Sequence, residues 1–258
     1  MNKTTILLLG DVMGPAAADY VGAKLWSIRR ALGADLVVAN CENCALGNGV
    51  DRENAEKLLS GGCDVLTSGN HVFKKPEAKT LLDDCRDIIR PCNYPPEAPG
   101  AGYVIKDLGS FRALVVNVMG VVYMDPLSNP IRSVEKILSE TEGKYDVSIL
   151  DVHAEATSEK LAMAHYFDGK IDIVAGTHTH VETADERILP MGTAYVTDLG
   201  MCGPDDSVLG IEPQCIIEKL LTNMPVRFNL SQNPITAHGV AVTLDAGGKP
   251  EKIERITF

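Results

Sequence analysis

The chain has 258 residues, of which 45% are hydrophobic, and a formal net charge of -11. The composition excludes a disordered chain and suits a sizeable buried core, while the acidic balance excludes stable non-specific binding to nucleic acid, whose phosphates attract basic surfaces. Seven cysteines without the spacing of a disulfide framework point to a reducing compartment, and the apolar run at 6–9 is too short for a signal peptide or membrane span; a cytoplasmic protein with no membrane partner is expected.

Residues 5–9 read as a first buried strand, ending in Gly10-Asp11, with a helix-compatible stretch after it at 16–31. The next apolar run, 36–39, ends in Asn40-Cys41-Glu42-Asn43 and precedes a helix-compatible stretch at 52–60. Residues 65–66 lead into Gly69-Asn70-His71. A strand is expected at 113–118, and another at 147–150 ending in Asp151-Val152-His153. A helix-compatible stretch at 159–167 carries His165. The run at 171–175 ends in Gly176-Thr177-His178-Thr179-His180, and 194–197 is a further strand. Strand alternating with helix indicates an α/β protein with largely parallel pairing. Beyond it, 226–230, 239–244 and 252–258 alternate with turn residues such as Ala246-Gly247-Gly248 and read as antiparallel strands. Two segments, 119–132 with Asp125-Pro126 and Asn129-Pro130, and 200–210 with Gly203-Pro204 and Asp205-Asp206, read as loops. No repeat or flexible linker divides the chain, so a single domain over 1–258 is expected.

The polar residues at the ends of the apolar runs form a pattern. In a parallel sheet the C-terminal strand ends share one edge, and ligands bind outside it. Asp11, Glu42, Asn43, Asn70, His153, His178 and His180 would therefore meet. Taken singly, Asp11 would pass for a helix N-cap, Glu42 for a solvated charge, Asn70 for a turn residue and His153 for a hydrogen-bonded core histidine. Four of the six histidines nevertheless fall at these strand ends. Carboxylate, imidazole and amide oxygen together suit zinc, manganese or iron rather than calcium. Seven donors are too many for one tetrahedral ion and suit two ions bridged by Glu42. His178 and His180, two apart in extended backbone, would point to the same side.

Only Asp11 and Glu42 bring negative charge to this set, so two divalent ions would leave it at about +2, a trap for a phosphate anion. The ions would share a water and lower its pKa toward neutrality, making a hydroxide that attacks phosphorus. His71, beside a ligand but not needed as one, would protonate the departing oxygen as general acid. Cys41-x-x-Cys44 has no second CxxC partner, and its interior is Glu42-Asn43. His165 and His238 are assigned no role. Gly10-Asp11-Val12-Met13-Gly14 does not fit the dinucleotide-binding pattern G-x-G-x-x-G.

The order Gly-Asp, bridging acid, Gly-Asn-His, His, Gly-Thr-His-Thr-His resembles the calcineurin-like metallophosphoesterases. Met13 stands where that superfamily usually has a histidine, and Glu42 where it has a bridging aspartate. With both departures, the chain resembles the YmdB-like subfamily. Matching stretches are Leu9-Gly10-Asp11-Val12, Asn40-Cys41-Glu42-Asn43, Thr67-Ser68-Gly69-Asn70-His71, Arg90-Pro91-Cys92-Asn93-Tyr94-Pro95, Ile188-Leu189-Pro190 and Pro225-Val226-Arg227-Phe228. The most distinctive is Asp151-Val152-His153-Ala154-Glu155-Ala156-Thr157-Ser158-Glu159-Lys160.

The resemblance implies an α/β, four-layer sandwich of two mixed β-sheets flanked by helices. It implies one metal on Asp11, Glu42, Asn43 and His180, with Asn43 replacing the missing histidine, and a second on Glu42, Asn70, His153 and His178. The ions would be divalent or mixed-valence, iron or manganese first, zinc or magnesium second. It further implies hydrolysis of small phosphodiesters, including 2′,3′-cyclic nucleotides, and a homo-oligomer. Asn93, with Arg90-Pro91, and Ser158 are expected on the substrate side; Glu155 and Thr157 would orient His153 or touch substrate, and Cys202 would sit near the rim. A phosphomonoesterase or nucleotidase using the same metals, or a metal-loaded regulatory protein with little catalysis, are the alternatives.

Overall fold

The computed structural model describes residues 3–258. Two six-stranded sheets are stacked. In the first, β1 (Thr4–Val12), β2 (Ala34–Asn40) and β3 (Val65–Thr67) run parallel. In the second, β4 (Tyr103–Asp107) lies antiparallel to β5 (Arg112–Met119), which is followed in parallel by β6 (Val147–His153) and β7 (Ile173–Thr177). β7 pairs with β9 (Ala194–Val196), and β8 (Arg187–Ile188) closes that edge. The chain then returns to the first sheet through β10 (Met201–Pro204), β11 (Ile235–Leu244) and β12 (Pro250–Thr257), giving the order β12-β11-β10-β1-β2-β3. β11 also pairs with β1 from Leu9 back to Thr4, whereas Asp11 and Val12 pair with β10. Asp11 thus leaves its strand where the neighbouring strand changes.

The period-two alternation of strand side chains builds the layers. Ile6 and Leu8 of β1, with Leu36 and Val38 of β2, face Val115, Ile149 and Ile173 of the other sheet in one buried cluster. Leu7 and Leu9 face outward under α1 (Gly14–Leu32) and α2 (Arg52–Gly61), packing with Val21, Leu25 and Leu58. Leu114, Val116, Leu150 and Val152 face the opposite way, under α4 (Pro130–Thr141) and α5 (Thr157–Phe167), against Val134, Met163 and Phe167. The result is the expected four layers, helix, sheet, sheet, helix. Pairing is mixed as expected: the strands that alternate with helices run largely parallel, and the returning β11 and β12 are antiparallel.

Three expectations need correction. Residues 226–230 are not a strand: only Leu230 makes a bridge, to Ile211, and Phe228 is exposed instead of buried against a sheet. Asn129-Pro130 starts a helix and does not mark a plain loop. The Asn129 side chain accepts from Arg132 N–H, and Pro130 occupies the first turn, where its missing N–H costs nothing. Residues 201–204 of the other supposed loop form β10. α3 (Ala78–Asp84), α6 (Pro213–Thr222) and the half-buried edge strand β4 lay outside the sequence reading.

Candidate metal centre

The C-terminal ends of both sheets deliver the donors to one place. β1 supplies Asp11, and the segments after β2 and β3 supply Glu42, Asn43, Asn70 and His71. From the other sheet come His153, the last residue of β6, and His178 and His180, just past β7. Asp11, Glu42 and His153 are closed to solvent.

His153 Nε2 is the focus. It lies 3.0 Å from Asn70 Oδ1, 3.0 Å from His178 Nδ1 and 3.2 Å from Glu42 Oε2. His153 Nδ1 lies 2.9 Å from Thr177 Oγ1, which is in turn 2.7 Å from Asp151 Oδ1. The Thr177 hydroxyl donates to that carboxylate and so accepts from His153 Nδ1–H, leaving Nε2 as the donor atom for a cation. His178 is oriented the same way: its Nε2 lies 3.1 Å from Glu155 Oε2, and its Nδ1 faces inward. Glu155 therefore serves His178, not His153. Such hydrogen bonds to the far ring nitrogen fix tautomer and ring orientation in metal-ligating histidines.

On the other side of Glu42, His180 Nε2 lies 3.8 Å from Asp11 Oδ1 and 3.3 Å from Asn43 Nδ2. Asp11 Oδ2 accepts from the His178 main-chain N–H at 3.1 Å, but Asp11 Oδ1 is buried without a hydrogen-bond partner. Asn43 turns its Nδ2 to Glu42 Oε1 and its Oδ1 to His71 Nδ1, 2.8 Å away. His178 and His180 do not share a face of extended backbone. Their φ angles are 96° and 61°, in the left-handed region, where a non-glycine residue persists only if its surroundings hold it.

What holds them is a buried ion pair. Asp198 Oδ2 accepts from Lys160 Nζ, from Thr179 N–H and from the Thr179 hydroxyl, at 2.7, 3.2 and 2.6 Å. Thr179 lies between the two histidines. Sequence reasoning missed this pair because Asp198 comes after a strand and Lys160 sits in a helix, so each looked ordinary.

The electrostatics arise from burial and proximity. Burial pushes the Asp11 carboxyl up, and although the His180 and His153 rings pull it back, it stands at about 6. Burial disfavours a charged His153, but the Glu42, Asp11 and Asp151 carboxylates outweigh it and raise the imidazole to about 9. Burial and the neighbouring His153 charge press His178 down to about 3. The His153 proton thus sits among Glu42, Asn70 and a neutral His178, where their negative charge and lone pairs favour a cation.

These residues fit a metal. The Glu42, His153 and His178 donor atoms lie within 4.8 Å of one another. Asp11 Oδ1 is an acidic oxygen buried with nothing to accept from. A Cβ on Gly69 would fall 2.2 Å from His153 Nε2 and 2.3 Å from Glu42 Oε2, so any side chain there would fill the point where the donors converge.

A cavity of about 1000 Å³ opens in front of the donors. His71 lines it, with its Nδ1 held by Asn43 and, at 3.2 Å, by Glu42 Oε1. Its main-chain N–H donates to Glu42 Oε2 at 3.0 Å. Nε2 has no hydrogen-bond partner among the described residues. Two expected substrate contacts are elsewhere. Asn93 is buried, and both ends of its amide bind backbone, Met119 O and Ser128 O through Nδ2 and Met119 N–H through Oδ1. It pins the 119–132 segment. Ser158 is exposed at the start of α5 and does not line the cavity. Arg90 is spent on the carbonyls of Pro91, Ala98 and Pro99, and Cys202 is buried behind Asp11. Met13, Arg227 and Phe228 line the cavity instead, the last two from the segment expected to be a strand. The Cys41 thiol, hydrogen-bonded to Cys44 and buried, is pushed well above its ordinary pKa and is chemically quiet.

The sequence matches the profile of a family described as YmdB-like protein over residues 7–256. It is 39% identical over 252 residues to the 2′,3′-cyclic-nucleotide 2′-phosphodiesterase of Bacillus subtilis (strain 168), covering 97% of this chain and 96% of that one. A hypothetical protein from Thermus thermophilus, of known crystal structure, shares 40% identity at a TM-score of 0.92, with 99% of both chains covered. A crystal structure described as a novel phosphatase from Mycoplasma pneumoniae shares 32% identity, also at 0.92, covering 100% of this chain and 94% of the other.

Proposed function

The chain belongs to the YmdB-like family, and from that premise we propose that it is a metal-dependent phosphodiesterase acting on small phosphodiesters, 2′,3′-cyclic nucleotides first among them. The observation that carries this reading is the meeting of Asn70, His178 and Glu42 donors within 3.0–3.2 Å of His153 Nε2, beside a histidine whose far nitrogen is free at the cavity wall. Glu42, Asn70, His153 and His178 would hold one ion, and Asp11, Glu42, Asn43 and His180 a second. The mixed oxygen and nitrogen set suits iron or manganese ahead of zinc or magnesium. When bound, such ions acidify a water and neutralise phosphate charge.

The residues of the chain do the rest. Gly69 keeps the donor point open, and Thr177 and Glu155 fix the two histidine rings. Glu42 and Asn43 grip His71 Nδ1, so that Nε2 is the nitrogen presented to substrate. Hydrolysis puts the water oxygen on phosphorus and breaks the bond to the 2′ oxygen. His71 Nε2 gives its proton to that departing oxygen, and a solvent proton restores it. A positioned general acid of this kind contributes typically 10²–10⁴-fold.

Metal analysis of the purified protein, with turnover of 2′,3′-cyclic AMP, bis-p-nitrophenyl phosphate and simple monoesters, tests the assignment. Strong monoester preference would make it a phosphomonoesterase; metal without hydrolysis of any ester would make it a regulatory protein. The reading includes one domain, a cytoplasmic location and no stable nucleic-acid partner. Among the described residues no helix is long and apolar enough to cross a membrane. It also includes a homo-oligomer. Leu220, Leu221 and Met224 are 79%, 81% and 62% exposed in the single chain, and sedimentation of the purified protein tests whether copies associate.

A further inference from the structure

The cavity before the metal donors is about 1000 Å³, far more than a bare phosphodiester group fills and at the upper end of small-molecule sites. Part of its wall is the segment after α6. That segment pairs with no neighbouring strand but is tied down near its end. Glu212 N–H donates to Asn229 O, and Ser231 N–H to Gly210 O, both at 2.9 Å. The ties put Arg227 and Phe228 on the same cavity as His71, His178 and His180.

Phe228 is 44% exposed. Lys219 Nζ covers one face of its ring, 5.0 Å from the centroid, and Lys219 does not line the cavity. The opposite face carries no ring or cation contact among the described residues, and Phe228 lines the cavity. Arg227 is the one lysine or arginine on a wall that also carries Glu155 and Glu212. Among the described residues its guanidinium has no ion pair or hydrogen bond. A flat aromatic face and a free planar cation, side by side in a chain of net charge -11, match a flat, anionic ligand better than an acyl chain or a second protein. Bases stack on aromatic rings whatever their identity, and an arginine pairs with anions and packs on planar groups.

We propose that Phe228 is a nucleobase platform and Arg227 the cation that draws the anionic substrate to it, so that the site selects nucleotides over other small phosphodiesters. This rests on the phosphodiesterase reading above.

The test compares 2′,3′-cyclic AMP with glycerol 1,2-cyclic phosphate, which keeps the five-membered cyclic diester and lacks the base. In Phe228→Ala the ratio of the two kcat/KM values falls roughly ten- to hundredfold, as loss of a base–aromatic stack predicts, and it recovers in Phe228→Trp. In Arg227→Gln the decline of kcat/KM with added salt becomes shallower. An unchanged ratio in Phe228→Ala, with both diesters turned over, overturns the platform and leaves the phosphodiesterase standing. An unchanged salt dependence in Arg227→Gln overturns the role given to Arg227. Calorimetric binding of 3′-AMP separates the two readings. Should the wild type hydrolyse neither diester yet bind 3′-AMP at least tenfold tighter than Phe228→Ala does, the platform stands and the phosphodiesterase falls. Equal binding by both proteins, or none, overturns the platform.

Discussion

Lys160 Nζ lies 2.7 Å from Asp198 Oδ2, and both side chains are fully closed to solvent. The pair is the anchor of the histidine loop, because the same carboxylate oxygen takes the N–H and hydroxyl of Thr179, and Asp198 Oδ1 takes Gly200 N–H at 2.8 Å. It holds His178 and His180 in left-handed backbone that neither would choose alone.

Lys160→Met leaves Asp198 buried without its partner. Breaking a buried pair from one side costs about 3–5 kcal/mol. Urea denaturation should show a loss of that order, and metal content should fall with it as the histidine loop relaxes. Lys160→Met/Asp198→Asn, which removes the uncompensated charge, should recover part of the stability. Wild-type stability and metal content in the single variant would end the anchoring role.

Thr177→Val keeps volume but removes the hydroxyl that joins Asp151 to His153. The tautomer and direction of His153 are then unguarded. Losing such a support typically lowers metal affinity 10–100-fold. Competition with a chelator measures this directly, and an affinity equal to wild type would detach Thr177 from the metal centre.

His71→Ala should retain metal and lose about 10²–10⁴-fold in kcat, provided the leaving group is a poor one such as a ribose oxygen. A diester with a p-nitrophenolate leaving group needs less protonation and should suffer less. Full metal with normal turnover on 2′,3′-cyclic AMP would remove His71 from proton transfer.

Asp185 supplies a pH-dependent contribution to stability away from the metals. Burial pushes its carboxyl up, but the hydroxyls of Thr197 and Thr183, at 2.6 and 2.7 Å, and the Thr197 N–H outweigh that and hold it below the ordinary aspartate value. A depressed carboxyl stabilises the fold above its unfolded pKa, near ~3.9, and loses that contribution as pH falls through the folded value. Asp185→Asn should therefore be roughly 1–2 kcal/mol less stable at pH 7. The gap to wild type should begin to close once the pH drops below ~3.9. A gap that stays constant into acid would show that shape, not charge, is what Asp185 provides.

Where the sequence reading succeeded and failed depends on which properties are local. Apolar runs in 5–9, 113–118 and 147–150 marked strands correctly because burial on two faces leaves a continuous apolar run. Asn129-Pro130 misled because the same dipeptide opens turns and caps helices. Residues 226–230 misled because an aromatic and a valine read as strand, but the segment makes a single bridge, at Leu230, and joins neither sheet. Asn93 lay in a distinctive stretch, yet its amide is consumed by backbone 26 and 35 positions away. Nothing in its neighbourhood along the chain reports that.

The chain's own order settled which donor types stand at the exits of successive strands, since the residues at a strand's exit are its immediate neighbours in sequence, and parallel strands bring their exits to one edge. Only the tertiary structure decided which group serves which, through the pairing of β6 with β7, the seating of α5 on that sheet and the approach of the segment after α6. It put Thr177 between Asp151 and His153, aimed Glu155 at His178, sealed Lys160 against Asp198, and set Arg227 and Phe228 before the cavity. Such pairings join residues far apart in the chain, 38 positions for Lys160 and Asp198 and 167 for His178 and Asp11, and depend on distance through space, which local pattern does not carry.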